Sequence, residues 1–315
     1  MLIVNPHATS TTPLRRDVIA RALGSELDLT VVQTRYRGHA AHFAGEAARD
    51  GYRLVLTLGG DGTVNEAVNG LLRALPPGAS GPETRPALAA LPGGSANVFT
   101  RALGMPSDPV DATGRLLAAL TGGGEGRTIG VGLAQDRYFT INAGLGFDAE
   151  VVRAIEGLRA DGQEASAGLY VWTAIRHFYG VTNRRQPALA LELNGRPTGG
   201  RLFFAFVSNA APWTYLGSRP VNPSPEAGFN TGLDVFAVRT LGTLPTLSTL
   251  RYMLGIGPGG LGGNAEPRHI LSLHDERELA FRAVRPIAFQ VDGEYVGERE
   301  HVTFRSVPDA LRVIS

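Results

Sequence analysis

Apolar positions follow two rhythms along the 315-residue chain. In the first part, short apolar runs of strand length alternate with stretches of helical spacing. The runs are Leu2-Ile3-Val4, which ends at Asn5-Pro6, then residues 29–33, residues 54–58 (LVLTL) and ALAALP at 87–92. Between and after them, helical spacing covers 14–23, 38–49, the stretch from Val64 with Ala67, Val68, Leu71 and Leu72 on one face, the segment after Asn97, and 111–120. Alternating strands and helices predict a parallel, Rossmann-like sheet. Glycines at 122, 123, 124 and 126 make a joint, and beyond it the rhythm changes. Residues 137–143, 188–193, 202–208, 233–238, 269–273, 278–283 and 287–291 read as strands, with helices near 148–160 and 166–179. Asn194-Gly195 and Asp292-Gly293 are two-residue hairpin signals. The expected fold is therefore α/β plus all-β. A Rossmann-like domain over 1–126 carries a GGDGT loop. An antiparallel, sandwich-like domain covers 127–301, the active site lies in the cleft between them, and strands near 302–305 and 311–314 return to the first domain.

Composition narrows the functional classes. A hydrophobic content of 43% is that of a globular chain, and a formal net charge of +1 gives no global field that calls for nucleic acid. With no cysteine, disulfides and thiolate metal sites are excluded. No apolar run reaches the roughly 18 residues needed to span a bilayer. The start, MLIVNPHATS, has no basic region before a long apolar core, so no secretory signal is expected. These features fit a soluble, cytoplasmic protein.

The chemistry concentrates in two strand–turn–helix units. In LVLTLGGDGTVNEAVNGLL (54–72) a strand runs into Gly59, Gly60, Asp61, Gly62 and Thr63 before a helix starts. Such a unit aims free N–H groups and a positive dipole end at one point, which suits phosphate, and glycine lets an anion approach the backbone. A carboxylate there makes chemical sense beside Mg²⁺ or a substrate hydroxyl; the plainer alternative is that Asp61 caps a helix. LPGGSANVFTRALG (91–104) repeats the pattern with Gly93, Gly94, Ser95 and Asn97, and Ser95 is its candidate N-cap.

GGDGTVNEAVNG resembles the glycine-rich signature of the diacylglycerol kinase catalytic domain superfamily, which includes bacterial lipid kinases, sphingosine kinases and ceramide kinases; NAD kinases share its GGDGT core. Further segments extend the resemblance over nearly the whole chain. NPHATS at Asn5 is similar to the opening motif that faces the nucleotide, without its usual glycine. Gly93-Gly94-Ser95 stands for a Gly-Thr pair, Asn97 matches, and Val98 replaces an Asp found in many bacterial members. NAGLGFDAEVV (142–152) resembles the head-group segment, with Asp148 and Glu150 as candidate contacts; the plainer reading there is acidic residues at a helix N-terminus. In IAFQVDGEYVG (287–297) the resemblance implies carboxylates at the reacting centre, with Asp292 as a general base and Glu294 holding Mg²⁺ or orienting the base. If Asp292 only makes a turn, Asn should replace it well. Thr231 stands where an acid is expected, which speaks against a structural Mg²⁺ site there.

What the resemblance implies is an ATP- and Mg²⁺-dependent lipid kinase. Asn5, Thr34, Gly59, Gly60, Gly62, Thr63, Glu66, Gly93, Gly94, Ser95 and Asn97 would face the nucleotide. Asp61, Asp292 and Glu294 would be catalytic, and Asp61 and Glu294 would serve the metal. The acceptor would be a lipid at a membrane surface, diacylglycerol first and a sphingosine- or ceramide-type lipid second. Such a protein would be cytoplasmic and peripherally membrane-associated; a homodimer stays open. NAD kinase activity and a non-catalytic lipid-binding role are the alternatives. The apolar face Leu169, Trp172, Ile175 and Tyr179, the cluster Arg176, His177, Arg184 and Arg185, and the glycine-rich 254–268 read more simply as core, solvated face and loop.

Overall fold

The structure is a computed structural model. It describes residues 1–74, 82–123, 126–160, 173, 176, 186–257 and 266–315. The expected face and basic cluster within 166–185 lie outside the described residues, apart from Arg176. The chain forms two compact units, Met1–Val131 with Pro308–Ser315, and Gly132–Val307.

In the amino-terminal unit, strands β1 (Leu2–Val4), β2 (Val31–Gln33), β3 (Leu54–Gly59) and β4 (Ala87–Pro92) alternate with helices α1 (Pro13–Gly24), α2 (His39–Arg49), α3 (Asp61–Arg73), α4 (Val98–Ala102) and α5 (Pro109–Thr121). The strands pair in parallel in the order β2-β1-β3-β4, and Val313, near the carboxyl terminus, adds a further parallel pairing to Leu88. β3 and β4 are buried along nearly their whole length, which is why they read as continuous apolar runs rather than alternating ones. Their ladder runs from Leu54↔Ala87 to Gly59↔Pro92. Both strands therefore end level, and the two glycine turns emerge side by side. On one face α2 packs closely on α3: a Cβ on Gly70 would lie 2.2 Å from the Ala41 carbonyl oxygen.

In the carboxyl-terminal unit the strands are antiparallel. After β5 (Arg127–Ala134) come β6 (Arg137–Phe139), β7 (Asn142–Leu145), helix α6 (Phe147–Ala160), β8 (Leu189–Leu193), β9 (Arg196–Leu202), β10 (Phe204–Ser208), the small pair β11 (Thr214–Leu216) and β12 (Arg219–Val221), β13 (Leu233–Val238), helix α7 (Thr243–Met253), β14 (Ile270–Glu276), β15 (Glu278–Val291) and β16 (Glu294–Val313). The sheet order is β14-β13-β10-β7-β15-β16, with β8 joined to β15 and β9 to β8. One face packs Phe139, Phe281, Phe289 and Phe304 with aliphatic neighbours; a second cluster gathers Phe204, Phe206, Phe236 and Met253.

Three sequence expectations change. The single strand expected over 137–143 is broken at Thr140 and Ile141, whose backbone amides leave the ladder for a carboxylate described below. The two short terminal strands are parts of the one long β16. Helix α7 was not foreseen at all, because Pro245 and the threonine-rich TLPTLSTL hide its period.

Candidate active site

The amino-terminal site is built on the paired turns. Gly93 N–H donates to the Gly59 carbonyl at 2.8 Å, and Ser10 reaches over with its N–H on Gly93 O (2.8 Å) and its hydroxyl on Gly94 O (2.9 Å). The glycines are required by this approach. A Cβ on Gly94 would sit 2.6 Å from the Cα of Gly60, and one on Gly93 2.9 Å from the Cα of Gly59. Each turn is thus the wall against which the other is moulded. We expect Gly94→Ala to lower stability by about 1–3 kcal/mol, the usual cost of overpacking; thermal melting of the variant checks this.

Asn97 fixes the second turn. Its φ of 48° lies in the left-handed region, and its side chain accepts from Gly94 N (2.8 Å) while donating to Gly94 O (2.7 Å). Ser95 is exposed and is not the cap of α4; Asn97 holds that position, without a side-chain cap bond. The orphan amides of α4 are met from elsewhere: Asp61 accepts from Val98 N with one oxygen and from Phe99 N with the other, both at 3.0 Å. Asp61 therefore clamps the second turn to the first. Since Val98 contributes its backbone to this clamp, the position tolerates an apolar side chain.

Helix α3 itself starts at Gly60 without a side-chain cap. The first amides of a helix have no intrahelical acceptor, so the end of α3 directs N–H groups and positive potential outward. Asn5 donates to Thr63 Oγ1 at 3.3 Å and thereby joins the end of β1 to this turn. Thr34 extends the ladder, its N–H on Val4 O at 2.9 Å. Glu66 is turned to the start of α2, accepting from Gly38 N (2.7 Å) and Ala40 N (3.1 Å). A cavity of about 690 Å³ opens beside these groups, lined by Pro6, His7, Thr34, Arg35, His39 and Phe43 among others. His39 stacks between Tyr36 (4.3 Å between ring centres) and Phe43 (4.1 Å). Of these lining groups, sequence reasoning singles out Thr34; Arg35 and the aromatic stack carry no motif.

The carboxyl-terminal unit holds a second group of the expected residues. Asp292 and Gly293 have φ of 46° and 79° and join β15 to β16, as a two-residue turn requires. The Asp292 side chain does more. It is buried, and it accepts from Thr140 N (2.7 Å), Thr140 Oγ1 (2.9 Å), Ile141 N (2.9 Å) and Asn142 N (3.0 Å). Glu294 forms an ion pair with Arg137. Gln290 ties the hairpin to α6: its amide nitrogen donates to Asp148 Oδ2 (2.7 Å) and Asn142 Oδ1 (3.0 Å), and its oxygen accepts from Gly293 N (2.8 Å). Room for this comes from Gly144, where a Cβ would lie 2.2 Å from Asp148 Oδ2. Gln290 and Thr140 were missed from sequence because an isolated Gln or Thr in a strand looks like any other.

Asp148 is buried, whereas Glu150 is half-exposed on α6. Burial pushes the Asp148 carboxyl up to about 7, against the lowering pull of the Gln290 bond. The folded state then holds a proton that the unfolded chain releases near pH 4, so stability falls as pH rises from about 4 to about 7. We expect Asp148→Asn to flatten this part of the profile and to melt no lower than wild type above pH 7. Melting both proteins across pH 5–8 checks it.

Comparison with known proteins gives the chain its relatives. Residues 1–124 match the family of the diacylglycerol kinase catalytic domain. A stretch of 153 residues is 38% identical to a probable lipid kinase YegS-like protein of Chromohalobacter salexigens, covering 49% of this chain and 45% of that one. Another of 114 residues is 40% identical to the diacylglycerol kinase of Bacillus subtilis, covering 36% and 33%. The sequence matches thus span less than half the length of these curated relatives. The fold is similar to a putative diacylglycerol kinase from Bacillus anthracis, with a TM-score of 0.73 over 99% of this chain and 95% of that one, at 22% identity. The resemblance seen in GGDGTVNEAVNG is therefore to a family whose catalytic-domain signature this chain carries over residues 1–124, on the two-unit fold that those kinases adopt.

Proposed function

We propose that the protein is an ATP-dependent lipid kinase that transfers the γ-phosphoryl group to the hydroxyl of diacylglycerol, giving phosphatidic acid. The observation that carries this reading is the uncapped start of α3, set beside the second glycine turn and clamped to it by Asp61, within the segment that matches the kinase family. An anion at that end finds backbone donors and a favourable dipole. Thr34, Arg35 and His39 line the adjoining cavity, which suits the rest of a nucleotide. Among the described residues there is no cluster of three or more groups able to hold a metal alone. Mg²⁺ carried with ATP needs only one or two carboxylates plus the phosphates, and Asp61, in the first turn of α3, fits that part. Bound there, Mg²⁺ would neutralise charge on the phosphates.

Phosphoryl transfer demands positioning more than covalent help from the protein. The bond from the γ-phosphorus to its bridging oxygen breaks as the lipid oxygen attacks in line, and the hydroxyl proton must leave. Asp292 is our candidate for taking it. Of the four donors named above, three are fixed backbone amides, but the Thr140 hydroxyl is a rotor. A lipid hydroxyl that replaces it would reach Oδ2 within hydrogen-bond distance. Glu294 keeps Arg137 in place through their ion pair, so we assign it an orienting role. The test is incubation with labelled ATP and mixed micelles of diacylglycerol, sphingosine or ceramide, with NAD as a soluble acceptor. Label in phosphatidic acid is expected; label only in NADP, or in none of the acceptors, overturns the reading.

A further inference from the structure

Helix α7 has two unlike faces. Thr249 and Met253 are buried, and Met253, Tyr252 and Leu254 pack against the cluster of Phe206 and Phe236. The opposite face exposes Leu244 (79%), Leu247 (57%) and Leu250 (49%), and Ile256 just beyond the helix is 41% exposed. Spacings of three residues put the leucines on one arc of the helix, with Arg251 inside it. Three large apolar side chains in a row, turned to water on a helix held firmly from behind, are an apolar patch with a purpose other than the core.

Charge singles out what would cover it. From Asp234 to Glu266 the sequence has no carboxylate, while Arg239 and Arg251 fall in that stretch and Arg268 follows it. Arg239, Arg251 and Arg268 are exposed, and Arg219, also exposed, donates to Leu254 O at the end of α7 (2.9 Å). Burial raises the pKa of Tyr252, and Glu266 and Glu226 add to that rise. Tyr252 lies roughly 140° round the helix from the middle of the leucine arc, at about 100° per residue.

We propose that α7 is a membrane-docking element, which sets Leu244, Leu247 and Leu250 into the interface of an anionic phospholipid bilayer with Arg251, inside the leucine arc, on the headgroups. This rests on the lipid-kinase reading for its biological sense, since such an acceptor lies in a bilayer. Physically it requires only the patch: leucines in the acyl boundary supply hydrophobic free energy, and each arginine near an anionic surface adds attraction.

The test is flotation of the full chain with phosphatidylcholine vesicles, with and without phosphatidylglycerol, in the absence of ATP. Wild type is expected to float with the mixed vesicles, and Leu244→Ser/Leu247→Ser to bind them at least about tenfold more weakly. Arg251→Glu should weaken binding to mixed vesicles more than to pure phosphatidylcholine. All variants should melt like wild type and phosphorylate a short-chain, monomerically dispersed diacylglycerol at the wild-type rate. Because vesicle binding needs no turnover, a protein that floats but does not phosphorylate would sink the kinase reading and leave the docking face standing. The proposal fails if wild type ignores the mixed vesicles, if the leucine variant binds them unchanged, or if sedimentation velocity shows wild type as a dimer that the leucine variant dissociates. The last outcome would mean that a second copy covers the patch.

Discussion

Asp292→Asn is expected to melt about 6–12 °C below wild type and, at temperatures where it is folded, to transfer phosphate about 10²–10⁴-fold more slowly. The stability part follows from the four hydrogen bonds that the carboxylate accepts from residues 140–142. An amide can present only one oxygen to them. Its NH₂ would face either Thr140 N, donor against donor, with the Thr140 hydroxyl free to turn and accept, or Ile141 N and Asn142 N, donor against donor at both. Bonds to a charged group are worth about 1.5–3 kcal/mol, and a stranded buried donor has its own cost. A loss of about 3 kcal/mol is therefore modest, and at about 2–4 °C per kcal/mol, the range for a cooperative unit the size of Gly132–Val307, it gives the stated drop. This corrects the simplest sequence argument, in which Asn-Gly turns as readily as Asp-Gly and Asn should be harmless. The turn would indeed survive; what is lost is the anchor of the break between β6 and β7. The activity part follows from the loss of a proton acceptor. Thermal melting and lipid phosphorylation at saturating ATP, on the same samples, check both. An unchanged melting temperature would mean that the four bonds contribute nothing. Wild-type turnover per folded molecule would remove Asp292 from proton transfer.

The case of Asp292 shows what was legible in the sequence and what was not. The period of the apolar runs located β1, β3, β4 and their helices, because buried parallel strands and amphipathic helices impose patterns that single residues cannot hide. The Asn194-Gly195 and Asp292-Gly293 hairpins were legible for the same local reason: positive φ selects those residue pairs. The glycine turns were recognised, but half of their physical cause was not. Gly60 and Gly94 were read as making way for an anion, whereas they also make way for each other, and only the pairing of β3 with β4 brings them together. Long-range polar contacts left no local trace. Nothing in the neighbourhood of Asp61 says that it binds Val98 and Phe99, and nothing near Gln290 says that it reaches Asp148. Helix α7 was missed because Pro245 and the threonines between its leucines mask a helical period, and those leucines face water rather than a core.

For Asp61 the expected result is a loss of lipid phosphorylation of at least about a hundredfold on replacement by Asn, together with a local cost in stability that the sequence alone would not suggest. In Asp61→Asn one oxygen remains to accept from Val98 N or Phe99 N, while the new NH₂ confronts the other amide. The negative charge facing the start of α4 disappears as well. The second glycine turn should therefore loosen by about 1.5–3 kcal/mol, the worth of one bond to a charged group. If Asp61 acted only through this clamp, then Asn97→Ala should imitate the variant, because Asn97 holds the same turn from within by its two bonds to Gly94 while leaving the carboxylate in place. If Asp61 also serves Mg²⁺–ATP, the two variants separate. Asn97→Ala should weaken ATP binding and keep the wild-type dependence on Mg²⁺. Asp61→Asn should shift that dependence to higher Mg²⁺ and remain slow at saturation, because a neutral amide is a poorer partner for a hard cation than a carboxylate. Turnover measured across a Mg²⁺ titration, beside calorimetric ATP binding for both proteins, distinguishes the cases. Coincident Mg²⁺ profiles for the two variants would reduce Asp61 to a structural clamp.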